Sequence, residues 1–168
     1  MDFEKFREFT PTTNTYKPEE NKMCLELGYI EEVGDFSGKL KKMYRDNDDK
    51  MDVDWTAGII LELGDICWYT SELLNAYKVD TENVKNKNIL SLSLNFDEPK
   101  IIEDLPKLLN SILINRSGWV SFYRNFYYCI HTAADFLQVP VGFILDQNQA
   151  KLLRRKQEGK IGGNGDYR

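Results

Sequence analysis

Two acidic clusters carry the residues best suited to chemistry, Glu31-Glu32-Val33-Gly34-Asp35 and Glu62-Leu63-Gly64-Asp65. Glu32 and Asp35 are three residues apart, and so are Glu62 and Asp65. On a helix that spacing stacks the carboxylates of each pair on one face. Acids gathered in this way repel one another at neutral pH and call for a counter-charge. An oxygen-only ligand set suits Mg²⁺, with Mn²⁺ as the alternative, and leaves coordination positions for water and phosphate oxygens. The plainer reading of any one such pair is a solvated acidic helix face.

The flanking sequence favours the metal. Tyr29, Val33, Phe36, Leu40 and Met43 recur at helical spacing around the first pair, and Ile59, Leu63, Ile66, Leu73 and Tyr77 around the second. In both segments each acid precedes a stripe residue by one position, about 100° of rotation. If the two helices pack antiparallel, stripe to stripe, both acid rows emerge on the same side. Glu32, Asp35, Glu62 and Asp65 then converge on one surface.

These elements belong to a chain of 168 residues with a formal net charge of -5. The length suits one domain with a real core. The charge argues against general nucleic-acid binding. Cys24, Cys67 and Cys129 are odd in number and lack metal-ligand spacing, so reduced thiols and a cytoplasmic setting are expected. No apolar run reaches the roughly 18 residues of a membrane helix, and the N-terminus does not read as a signal peptide.

The pattern predicts an all-α fold. A short amphipathic helix is expected over residues 1–9, and a long one from Pro18 to about Arg45. The polar run 46–50 lacks the glycine and closing glutamate of a calcium loop. A second long helix is expected from Asp54 to Tyr77, then a short one from Asp80 to about Lys87. Residues 88–99 read as irregular. Further helices are expected over Lys100–Ile114, with Pro106 inside, Trp119–Leu137 and Pro140–Gln157, before a glycine-rich tail. A weak repeat at an offset of 60 aligns Tyr77-Lys78-Val79 with Leu137-Gln138-Val139 and replaces Glu62 and Asp65 by Phe122 and Asn125. If real, it makes the second half a degenerate hairpin completing a four-helix bundle.

The acidic pattern resembles the all-α nucleoside triphosphate pyrophosphatases, the MazG-like superfamily. Leu27-Gly28-Tyr29 before the first motif, the lysines from Lys39 to Lys42 after it, and Trp68-Tyr69 after the second also match. So does the closing segment, from Asn148-Gln149-Ala150-Lys151-Leu152-Leu153-Arg154-Arg155 to Gly163-Asn164-Gly165-Asp166-Tyr167-Arg168. The likeness covers about residues 1–88 and 145–168. Asp35 stands where the family usually has Glu, and the stretch of about 89–144 is extra relative to its small members.

The resemblance implies a four-helix-bundle-like MazG fold and Mg²⁺-dependent cleavage of (deoxy)nucleoside triphosphates between the α and β phosphates. The products would be a monophosphate and pyrophosphate, a nucleotide-pool cleaning or regulating role. Glu32, Asp35, Glu62 and Asp65 would hold metal, and Glu31, with Glu32, would act on the attacking water. Lys39, Lys42, Lys151 and Arg155 would contact phosphates, with Tyr69 favoured over Trp68 as the residue stacking on the base. Asp166 and Arg168 could order the tail, and His131 reads as structural. A homo-oligomer, such as a dimer, is expected, with no membrane or nucleic-acid partner. Rival readings are a non-catalytic nucleotide-binding or interaction bundle, an alarmone-directed hydrolase, and a di-iron bundle, which would need Glu-x-x-His motifs.

Overall fold

A computed structural model describes residues 1–46, 52–81 and 101–161. Among these residues the secondary structure is entirely helical. Helix α1 spans Phe3–Phe9 and runs into a 3₁₀ turn at Thr10–Thr12. It is followed by α2 (Asn21–Asp46), α3 (Val53–Ala76), α4 (Ile101–Ile114), α5 (Trp119–Phe136) and α6 (Val141–Gln157). No single described helix is long and apolar enough to cross a membrane.

Side-chain capping sets two of the starts. Asp2 accepts from the Lys5 amide at 2.9 Å and Asp52 from the Trp55 amide at 2.7 Å. Pro18 does not open α2, contrary to the sequence expectation. Residues 18–20 form a turn in which the Glu20 amide donates to the Lys17 carbonyl at 3.0 Å, and the helix begins at Asn21. Pro106 lies in the second turn of α4 without ending it, because only one backbone bond is forgone. Most of the polar run 46–50, the short helix expected after Asp80, the irregular stretch at 88–99 and the tail bearing Asp166 and Arg168 lie outside the described residues.

Helices α2 and α3 form an antiparallel hairpin, α4 and α5 a second, and α2 packs on α4 to join them. The stripe residues Tyr29, Val33, Phe36, Leu40, Met43, Ile59, Leu63, Ile66 and Leu73 are all buried. Phe122 and Phe126 of α5 meet them, Phe122 edge-on to Tyr29 at 5.6 Å. The Tyr29 hydroxyl donates to the Leu109 carbonyl at 3.1 Å and ties α2 to α4. The aligned segments at the repeat end their helices identically. Lys78 and Gln138 have φ of 52° and 56°. The next residues, Val79 and Val139, donate to Leu74 and Ala134 at 2.9 and 3.0 Å. Both bonds satisfy carbonyls left open at a helix end.

Helix α1 and the following turn strap the bundle to α3. Phe3 and Phe6 are buried, and Arg7 bonds Asn75 Oδ1 at 2.7 Å and the carbonyls of Leu74 and Val79 at 3.2 and 2.9 Å. Helix α6 lies against α3, with Ile144, Leu145 and Asn148 buried. The acids of α3 therefore lie between its two neighbours, with α2 on one side and α6 on the other.

Candidate metal centre

Glu32 and Asp35 of α2 and Glu62 of α3 each present a carboxylate oxygen within 4.8 Å of the other two. The local cause is the one-position offset from the buried stripe. Val33, Phe36 and Leu63 are fixed in the core, so the preceding acids emerge at the edge of the α2–α3 seam. Glu32 and Glu62 are half-buried and Asp35 is exposed.

Asp65 lies beside this group, held from the α6 side. Its carboxylate accepts from Asn148 Nδ2 at 2.7 Å and takes both oxygens to the Lys151 ammonium. Three of the four acids expected to converge lie within 4.8 Å of one another, and Asp65 adjoins them, its charge still acting on Glu32 and Glu62 while Asn148 and Lys151 hold its oxygens. The physical reason is that α6 supplies the counter-charge and amide that Asp65 would otherwise lack. Gly64 permits this approach, since a Cβ there would lie 2.8 Å from Asn148 Cβ.

Electrostatics mark the cluster as under-compensated. Burial, then the charges of Asp65 and Glu62, push Glu32 from the usual 4.5 to about 8, with Lys151 opposing and Asp35 adding to the rise. Glu62 is also raised, chiefly by burial, although Lys39 opposes this with an ammonium 3.3 Å from Oε1. Lys39 thus reaches the acids as the sequence spacing suggested, and so does Lys151.

The remaining named residues divide. Glu31 is exposed and outside the three-carboxylate group, on the side facing Tyr16 and Tyr69, whose ionisation its charge disfavours. Lys42 is exposed. Arg155 is half-exposed one turn beyond Lys151. Tyr69 is half-buried, its ring lying where a Gly28 Cβ would be at 2.2 Å, and its hydroxyl is 2.8 Å from that of Tyr16. Trp68 is corrected from a stacking candidate to a core residue, because it is buried and its indole donates to Thr13 Oγ1 at 2.8 Å. His131 is half-buried against Tyr127 on α5, and burial lowers its pKa.

Sequence reasoning gave no role to Asn148 or Tyr16. Asn148 precedes Lys151 by three on one helix face, a signal that was present. Tyr16 lies in a loop, where periodicity carries no information.

No family model matches the chain, and no solved structure matches it. A curated relative, the Gene 37 protein of Mycobacterium phage L5, is 32% identical over 66 residues, covering 39% of this chain and 58% of the relative. The match spans less than two thirds of that protein, whose name states no activity.

Proposed function

We propose that the protein is a Mg²⁺-dependent nucleoside triphosphate pyrophosphohydrolase of the MazG-like type. The observation that carries this reading is the group formed by Glu32, Asp35 and Glu62, within 4.8 Å of one another on antiparallel helices. Its donors are all carboxylate oxygens, and burial together with the charges of Asp65 and Glu62 holds Glu32 well above the usual carboxylate range. Both features fit a hard divalent cation.

Glu32, Asp35 and Glu62 would hold the cation, with Asp65 joining them or remaining with Lys151. When bound, Mg²⁺ supplies counter-charge to phosphate oxygens and lowers the pKa of a coordinated water. Lys39 and Lys151 already sit against the acids and are placed to receive phosphate oxygens that enter the site. Glu31, exposed beside the cluster, is the carboxylate assigned to accept a proton from the attacking water. Water adds at the α phosphorus, the bond from that phosphorus to the α–β bridging oxygen breaks, and pyrophosphate leaves.

A second reading has its own support. Lys39 and Lys151 neutralise Glu62 and Asp65 without any metal, as in a non-catalytic bundle that keeps its acids for structure. Product analysis decides between the two. Wild type and Glu62→Gln are incubated with Mg²⁺ and a panel of ribo- and deoxynucleoside triphosphates and guanosine alarmones. The expected result is pyrophosphate plus monophosphate from wild type, reduced at least about a hundredfold in the variant. No turnover with Mg²⁺ or Mn²⁺ would favour the non-catalytic bundle, and orthophosphate release would mean a different bond is cut.

A further inference from the structure

The carboxylates account for the phosphate end of a nucleotide and leave its base without a place. A groove of about 370 Å³ between α3 and α6 offers one, lined by Val53, Ala57, Ile60, Leu61, Phe143 and Gln147. That volume lies within the range of small-molecule sites, and the lining is mostly apolar, as such sites are. Val53, Leu61 and Phe143 are 83, 38 and 41% exposed, a cost with no return unless something covers them.

The rows that line the groove lead along both helices toward the Asp65–Lys151 pair. Along α3, Val53, Ala57, Leu61 and Asp65 follow one another at four-residue steps, and along α6 so do Phe143, Gln147, Lys151 and Arg155. Residues four apart share a helix face. Gly64 and Asp65 meet Asn148 and Lys151, while Leu61 and its predecessors share the groove with Phe143 and Gln147. The pairings ascend together, so the two helices run in the same direction and their rows lie side by side. Along the paired rows the side chains therefore change from apolar to charged within a single step of about 6 Å.

We propose that this groove takes the nucleobase of the nucleotide whose phosphates lie at the carboxylates, an assignment that rests on the function proposed above. A base and its phosphates are separated by one sugar ring, comparable to the step from Leu61 to Asp65. Phe143 offers an aromatic face to a flat heterocycle. Gln147 is exposed at the rim and carries both a donor and an acceptor for the base edge. The other polar groups are engaged in starting α3: the Asp52 carboxylate accepts from the Trp55 amide and the Thr56 hydroxyl donates to the Asp52 carbonyl at 2.8 Å. The groove thus selects for a planar, weakly polar group and against a second phosphate.

The test separates the groove from the catalytic reading. Ala57 is exposed on the groove floor, so Ala57→Trp fills the space without entering the core. In this variant KM for the preferred nucleoside triphosphate should rise about tenfold or more, the equivalent of at least about 1.4 kcal/mol. Hydrolysis of methyl triphosphate, which has the phosphates and no base, should be unchanged. An unchanged KM for the nucleotide would overturn the assignment while leaving the hydrolase intact. A binding readout needs no turnover: methyl resonances of Val53 and Leu61 are followed as nucleosides without phosphate are added to wild type and to Glu62→Gln. Saturable shifts in both proteins support the groove even if no nucleotide is hydrolysed, and no shifts overturn it. Loss of a wild-type oligomer in Ala57→Trp, seen by light scattering, would show instead that the groove is covered by a second copy of the chain.

Discussion

Glu72 and Glu32 are two buried or half-buried glutamates on one helical hairpin, and they are treated in opposite ways. Glu72 is 4% exposed and accepts from Thr10 Oγ1 at 2.7 Å, Asn14 Nδ2 at 2.5 Å and Asn75 Nδ2 at 3.2 Å. Glu32 receives no hydrogen bond among the described residues and faces Asp65, Glu62 and Asp35. A carboxylate surrounded by fixed neutral donors is a fastener, here joining the N-terminal strap to α3. A carboxylate surrounded by other carboxylates is a site that a cation can complete. Burial alone does not separate the two roles, whereas the chemistry of the partners does.

Breaking each partner set gives the largest expected difference. Glu72→Ala removes the acceptor shared by Thr10, Asn14 and Asn75, whose donors keep only the Arg7 carbonyl and Asn21 Oδ1, and should cost on the order of 2 kcal/mol in chemical denaturation. Glu32→Ala strands no donor and, above about pH 8 where the folded side chain is charged, removes a repelled charge, so at that pH its stability should equal or exceed that of wild type without metal. A Glu72→Ala loss below about 1 kcal/mol would erase the contrast, because that is the scale of an ordinary surface change.

The pH dependence sharpens the same comparison. Folded Glu32 holds its proton up to about pH 8, whereas the unfolded chain releases it above the usual 4.5. Between those values the folded state binds more protons, so metal-free stability should fall as pH rises through the window and level off above it. Allowing for partial exposure, the loss should be on the order of 2 kcal/mol. Glu62, also raised, adds in the same direction, and His131, lowered by burial, opposes it below its usual 6.5. Urea melts of wild type and Glu32→Gln from pH 5 to 9 isolate the contribution of Glu32, and equal slopes would mean that it is not held protonated. Saturating Mg²⁺ should raise wild-type stability near pH 8 and have little effect on the variant.

The core was legible because its stripes follow the helical period, and the predicted α2 and α3 faces are the buried ones. Convergence of Glu32, Asp35 and Glu62 was legible for the same reason, since the acids inherit their direction from Val33, Phe36 and Leu63. The hold of Asn148 and Lys151 on Asp65 was not, because it depends on where α6 crosses α3, a tertiary fact encoded in the absence of a side chain at Gly64. Trp68 was misplaced because its partner, Thr13, lies in a strap with no periodicity to align it. The start of α2 was misjudged because proline suits a turn as well as a first helical turn.

Gly64 and Gly34 bring the comparison down to single methyl groups, and they should respond with opposite signs. Each lies in a helix interior one residue before an acid of the site. A Cβ at Gly64 would meet Asn148 at Cβ (2.8 Å), Nδ2 (3.2 Å) and Cγ (3.4 Å), whereas one at Gly34 meets nothing within 4 Å. The nearest obstacle at Gly64 is not the end of a flexible chain, so α6 itself must move. Gly64→Ala should therefore cost about 1–3 kcal/mol as overpacking, despite the better helix propensity of alanine. It should also part Asn148 and Lys151 from Asp65, leaving that carboxylate to the cation and tightening Mn²⁺ binding in metal titrations. Gly34→Ala should stabilise the fold by up to about 1 kcal/mol through propensity alone. Should both variants prove equally stable, the close approach of α6 at Gly64 would not be what binds Asp65 to Asn148 and Lys151.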